Sequence, residues 1–302
     1  MTYRILAGGL LAGLLVSGGA QAAPYLATVG SPNSLQHTAV TTALDLSEPD
    51  LDGGFDIPEG DADTIGGAFT YWGAAGQEGQ RYDLRYQKQF RPFEGSRARV
   101  LVDPVLNILH ANKVGTAIMG TLSAGVEIPV QPNWLITPRI AYGVTDAPLD
   151  FGTTSREILT LSATSRYKIA QVGRGDLTIG NMVAWSTTTK LGIAKTPAFY
   201  MKENVFAFRN GLAYQLPFKG RMFGGRQGSA RVSYVWTKLT DDPQSYENVH
   251  EAAISIGVRT REAEQKSRSE QLRIGLLYTH GTSSFSHDFD YDAVTLTVGY
   301  RF

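Results

Sequence analysis

The chain has 302 residues, no cysteine, and 28 basic against 28 acidic residues. That balance gives no global reason to expect nucleic-acid binding, and the lack of cysteine excludes a disulfide scaffold, a thiolate metal site and a cysteine nucleophile. A mean hydropathy of −0.15 excludes a bundle of membrane helices, each of which needs about 20 consecutive apolar residues.

Residues 1–22 read as a secretory signal peptide. Arg4 supplies the basic start, Ile5 to Val16 the apolar run, and Ala20-Gln21-Ala22 a small-x-small cleavage site after Ala22. Residues 23–64 contain no Lys or Arg and eight acids, from Asp45 to Asp63. A short helix is expected over 34–46, with Leu35, Ala39, Ala43 and Leu46 on one side. Two roles stay open for this acidic segment, a solvated tail and a lumen plug.

From residue 65 to the end, apolar and polar residues alternate with period two. In the last segment Val294, Leu296, Val298, Tyr300 and Phe302 share one face, and Ala293, Thr295, Thr297, Gly299 and Arg301 the other. A helix does not separate residues in this way. Twelve such segments are expected: 65–73, 81–90, 97–110, 115–129, 133–144, 157–169, 176–187, and then segments around Phe208, Tyr234, Ile254, Leu276 and Leu296. The predicted fold is all-β, a transmembrane antiparallel up-and-down barrel over 65–302. Many segments are long for soluble strands but suit tilted membrane-spanning ones. Aromatic residues gather at strand ends (Tyr71, Trp134, Tyr142, Tyr167, Trp185, Phe206, Tyr214, Trp236, Tyr278, Tyr300 and Phe302), as two interfacial girdles require.

An even strand number puts both chain ends on one side. Turns at 91–95, 130–133, 171–175 and 217–228 then share that side. Loops at 74–80, 146–155, 191–202, 240–249 and 282–290 lie opposite.

With polar faces inward, the lumen receives Arg85, Arg97, Arg99, Arg139, Arg166, Lys168, Arg209, Arg231, Arg259, Arg273 and Arg301, against Asp83, Asp103, Glu127 and Glu251. All but one of the 28 basic residues, and 19 of the 28 acidic ones, fall within 81–302. Three readings of this basic lumen stay open. Its charges pair with one another; the acidic segment occupies it; or it conducts anions. No catalytic residue, metal site or cofactor is assigned. The histidines are His37, His110, His250, His280 and His287, and only serines of an outer loop adjoin His280, with no acid partner in adjacent sequence.

The chain end, Val298, Tyr300 and Phe302, resembles the C-terminal signature of Gram-negative outer-membrane β-barrels. That resemblance implies residence in the cell outer membrane after Sec-type export, contact with its lipid, and recognition by the barrel-assembly machinery. Size, strand number and the leading segment resemble the translocator barrel of autotransporters, whose pore carries a helix or linker. This implies a solitary autotransporter-like barrel with a narrow or occluded lumen; no enzymatic activity is expected, because the sequence offers no organised catalytic site. The lumenal arginines resemble those of small twelve-stranded channels for acidic oligosaccharides, the second reading. An outer-membrane lipid-modifying enzyme is the third. Nothing in the sequence fixes a substrate or an oligomeric state.

Overall fold

The computed structural model describes residues 62–74, 77–111, 115–149, 152–193, 204–221, 223–241, 246–259, 272–283 and 290–301. The signal peptide, nearly all of the acidic segment, the helix expected over 34–46, and Phe302 lie outside them.

Twelve strands are present: β1 (Ala62–Ala74), β2 (Gln77–Phe90), β3 (Arg99–Ala111), β4 (Gly115–Gln131), β5 (Trp134–Leu149), β6 (Gly152–Val172), β7 (Gly175–Ile193), β8 (Asn204–Pro217), β9 (Gly228–Asp241), β10 (Tyr246–Val258), β11 (Leu272–Ser283) and β12 (Tyr291–Arg301). Each pairs antiparallel with its neighbours in the chain, and β1 pairs with β12 to close the barrel. At this seam Ile65 lies opposite Tyr300 and Gly73 opposite Asp292. The Thr70 and Thr295 hydroxyls meet across it at 2.9 Å. Closure leaves no unpaired strand edge, which is what allows a sheet to stand in hydrocarbon.

Period-two alternation sets which side each residue takes. On β12, Val294, Leu296 and Val298 are 53%, 49% and 47% exposed, while Ala293 and Thr295 are 3% and 4% exposed. The same division runs through Leu272, Ile274, Leu276 and Tyr278 on β11, and through Ile254 and Ile256 on β10. This barrel is apolar outside and largely polar inside, the inverse of a water-soluble domain. Ten of the expected girdle aromatics, from Tyr71 to Tyr300, take outward positions.

Trp72 is a large aromatic on the inward face of β1, in step with Thr64, Gly66 and Thr70. It points inward near the end of the barrel opposite the chain termini and is 1% exposed. Its cross-strand partner is Gly79, where an added Cβ would lie 2.1 Å from the indole ring. The absence of a side chain at Gly79 makes room for the indole.

Several strands run past their expected ends. β1 begins three residues early, at Ala62, and β2 begins at Gln77 inside an expected loop. The β5–β6 hairpin continues through Asp146 opposite Ser155 to Leu149 opposite Gly152, and β7 continues to Ile193. In these extensions the sequence does not keep a period of two, although the backbone pairing continues.

Candidate functional site

The inward faces of β2, β3 and β5 build the first charged group. Asp103, 0% exposed, receives both the Arg85 Nε–H, at 2.9 Å from each carboxylate oxygen, and the Arg85 Nη2–H. Arg139 Nη1 lies 3.4 Å from the same carboxylate, from two strands away. Two features allow that reach. The residues in register with Asp103 on β4 and β5 are the short Ser123 and Ala141. Gly125 lies opposite Arg139, where a Cβ would stand 2.5 Å from Arg139 Cγ.

A second group repeats the arrangement. Glu127 on β4 sits opposite Arg99 on β3, at 3.7 Å, and accepts from Arg166 Nη2 on β6 at 2.9 Å. A third joins Arg209 on β8 to Glu251 on β10, across β9. Arg273 on β11 donates to Ser255 at 3.2 Å and to Ser229 at 3.3 Å. Arg231 is half-buried on the inward face of β9. Nearer the two ends, Arg81 pairs with Asp83 at 2.8 Å and Lys168 with Asp176 at 2.9 Å. Of these contacts, Arg139–Asp103, Arg166–Glu127, Arg209–Glu251 and Arg273–Ser229 each reach across an intervening strand, so the interior is cross-braced.

The geometry departs from the expected inventory at two positions, Arg97 and Arg259. Arg97 is exposed in the β2–β3 turn, because β3 begins two residues later. Arg259 follows the end of β10, where its N–H and side chain bond Gln227 in the β8–β9 connection, and it forms part of the barrel's rim. The side chain of Arg301 lies outside the described residues, although its backbone pairs with Thr64. Arg81 and Asp176 were not anticipated. Arg81 fell at the uncertain edge of a predicted segment, and Asp176 begins its strand beside a turn. Val298 and Tyr300 point outward, and Phe302 is outside the described residues.

A second cluster lies on the outside, near the end opposite the chain termini. His250 on β10 is in register with His280 on β11, which is in register with Asp292 on β12. His280 Nδ1 stands 3.0 Å from Asp292, and the Tyr278 hydroxyl donates to the same carboxylate. His250 Nδ1 meets the Tyr234 hydroxyl at 2.7 Å, and Trp236 Nε1 donates to Asn248 at 3.2 Å. Adjacent sequence gave His280 no acid; strand pairing brings Asp292 to it. No group of three or more metal-ligating side chains is present among the described residues.

Chemically, the interior fixes positive potential. Asp103 and Glu127 are each flanked by two guanidiniums, and Arg231 and Arg273 add further positive charge. Such a lining favours anions over cations.

No family model matches the sequence, and no curated protein matches it. Solved structures do. The chain is similar to the translocator domain of the autotransporter NalP from Neisseria meningitidis, with 13% identity, a TM-score of 0.55, and 88% of this chain and 94% of that one covered. It is also similar to the β domain of the Bordetella autotransporter BrkA, with 12% identity, a TM-score of 0.55, and 81% and 99% covered. The fold is thus the β-barrel seen in autotransporter translocator domains.

Proposed function

We propose that this protein is an integral outer-membrane β-barrel of the autotransporter-translocator type, with a narrow, basic lumen. The observation that carries this reading is the closed twelve-stranded barrel with an apolar outside and an arginine-rich, ion-paired inside. The acidic residues that precede β1 in the sequence are covalently joined to the barrel, which keeps their effective concentration near it high, and their charge is opposite to that of its inward guanidiniums. In this reading they occupy the lumen. The surplus of guanidiniums over carboxylates also favours a second reading, a small anion-preferring channel. A catalytic role is not proposed: the hydroxyl bonded to the His280–Asp292 pair among the described residues is the Tyr278 phenol, which donates to the carboxylate and not to the imidazole.

Single-channel recording in planar bilayers tests both readings. The intact protein is expected to conduct poorly, and deletion of residues 24–61 to raise conductance and give anion preference, weakened by salt. Equal, anion-selective conductance before and after deletion favours the channel. Recovery of the protein as a soluble species would rule out a membrane barrel altogether.

A further inference from the structure

Around the outside, mid-strand positions carry apolar or tyrosine side chains: Leu84 on β2, Leu122 on β4, Ile140 on β5, Ile254 on β10, Leu296 on β12. Three adjacent strands break this pattern together. Ser165 on β6 is in register with Asn181 on β7, and Asn181 with Asn210 on β8. All three occupy outward positions, and both asparagines are exposed. Asn210 sits six residues from one end of β8 and seven from the other. At about 3.4 Å per residue and a strand tilt near 40°, this places it about 16 Å from one end and about 18 Å from the other, near the middle of the apolar band. Polar groups at that depth are rare and mark function, because hydrocarbon offers them no partner.

The hydroxyl of Ser165 is satisfied, accepting from Trp134 Nε1 at 2.9 Å. The carboxamides of Asn181 and Asn210 bond no other group among the described residues. We propose that the β6–β8 face is an interface, and that its occupant is a second copy of this chain. The inference rests on the membrane-barrel reading above. Two arguments select the occupant. Copies inserted in the same direction are related by an axis along the membrane normal, so each residue meets the partner at its own depth. Asn181 and Asn210 then face the partner's equivalent pair. A primary amide both donates and accepts, so two identical amide pairs satisfy one another without any other chemistry. No lipid carries a hydrogen-bonding group at mid-membrane depth. The neighbouring Val183, Phe208 and Leu212 supply an apolar surround.

The chain has no cysteine, so single-cysteine variants report contact directly. Full-length Asn210→Cys in native membranes is expected to form a disulfide-linked homodimer under mild oxidation, while Leu296→Cys, on a distant face at similar depth, stays monomeric. In mass photometry of the folded protein, Asn181→Leu combined with Asn210→Leu is expected to weaken dimerisation about tenfold or more. Gel mobility before and after boiling shows that each variant is a folded barrel. A folded, membrane-embedded wild type that is monomeric overturns the inference and leaves the barrel reading intact. Equal cross-linking at both cysteine positions also overturns it, as does cross-linking of Asn210→Cys to a different protein. A soluble protein would sink the barrel reading itself.

Discussion

Replacing Asp103 by Asn tests whether the barrel interior is dry. The substitution keeps shape and one acceptor but removes the charge that Arg85 and Arg139 share. Asp103 is 0% exposed, and the side chains of Arg85 and Arg139 are 4% and 1% exposed. At separations near 4 Å and an effective dielectric of about 20, each attraction is about 4 kcal/mol before desolvation. Breaking a buried pair strands an uncompensated charge, and such changes destabilise by about 3–5 kcal/mol. An exposed pair in a water-filled pore would be worth only about 0–1 kcal/mol. The two cases are separable by urea unfolding of the refolded protein in lipid vesicles, followed by tryptophan fluorescence. The expected loss is about 3–5 kcal/mol. Adding Arg139→Met to Asp103→Asn should recover part of it, because one stranded cation is gone. A loss below about 1 kcal/mol would show a wet, screened interior and refute the cross-bracing argument.

Gly79→Ala drives a methyl group into Trp72 and the His110 carbonyl, so a destabilisation of about 1–3 kcal/mol is expected in the same assay. Leu296→Arg puts a charge at mid-depth on the outer face and should cost about 2–4 kcal/mol, whereas the same change near a strand end should cost about 1 kcal/mol or less. Gly125→Val should displace the Arg139 stem and mimic part of the Asp103→Asn loss; unchanged stability would mean that Arg139 has another path to Asp103. His280→Ala should leave the acyl composition of membrane lipids unchanged by mass spectrometry, and a lost deacylation would turn the His280–Asp292 pair into a catalytic base.

Alternation made the fold legible in the sequence because the two faces of each strand meet different solvents. It revealed β12 from Val294 to Tyr300 almost to the residue, and it failed at 77–80 and 146–155, where the sequence itself does not alternate although the backbone pairing continues. The same parity placed Arg85, Arg99, Arg139, Arg166 and Arg209 inside. It could not say which carboxylate each would meet, since Arg139 and Asp103 are separated by a whole strand and brought together by short residues between them. The parity that puts Tyr71 outside also puts Trp72 inside, but its partner Gly79 is supplied by register and not by the local pattern. His280 and Asp292 are twelve residues apart in sequence, with a loop between them, and only strand pairing joins them.

The seam between the first and last strands carries a consequence for how the molecule is made. Thr70 and Thr295, whose hydroxyls bond across it, are separated by 225 positions along the chain. No intermediate that lacks the last strand can form that bond, because that strand is synthesised last. Until it arrives, β1 and β11 each present an open ladder of backbone groups that neither water-excluding lipid nor a neighbouring strand has satisfied. Closure is therefore a late, cooperative event dominated by a very non-local contact, and it is expected to be slow. Anything that holds those two edges apart from other chains before β12 docks governs the yield of folded protein.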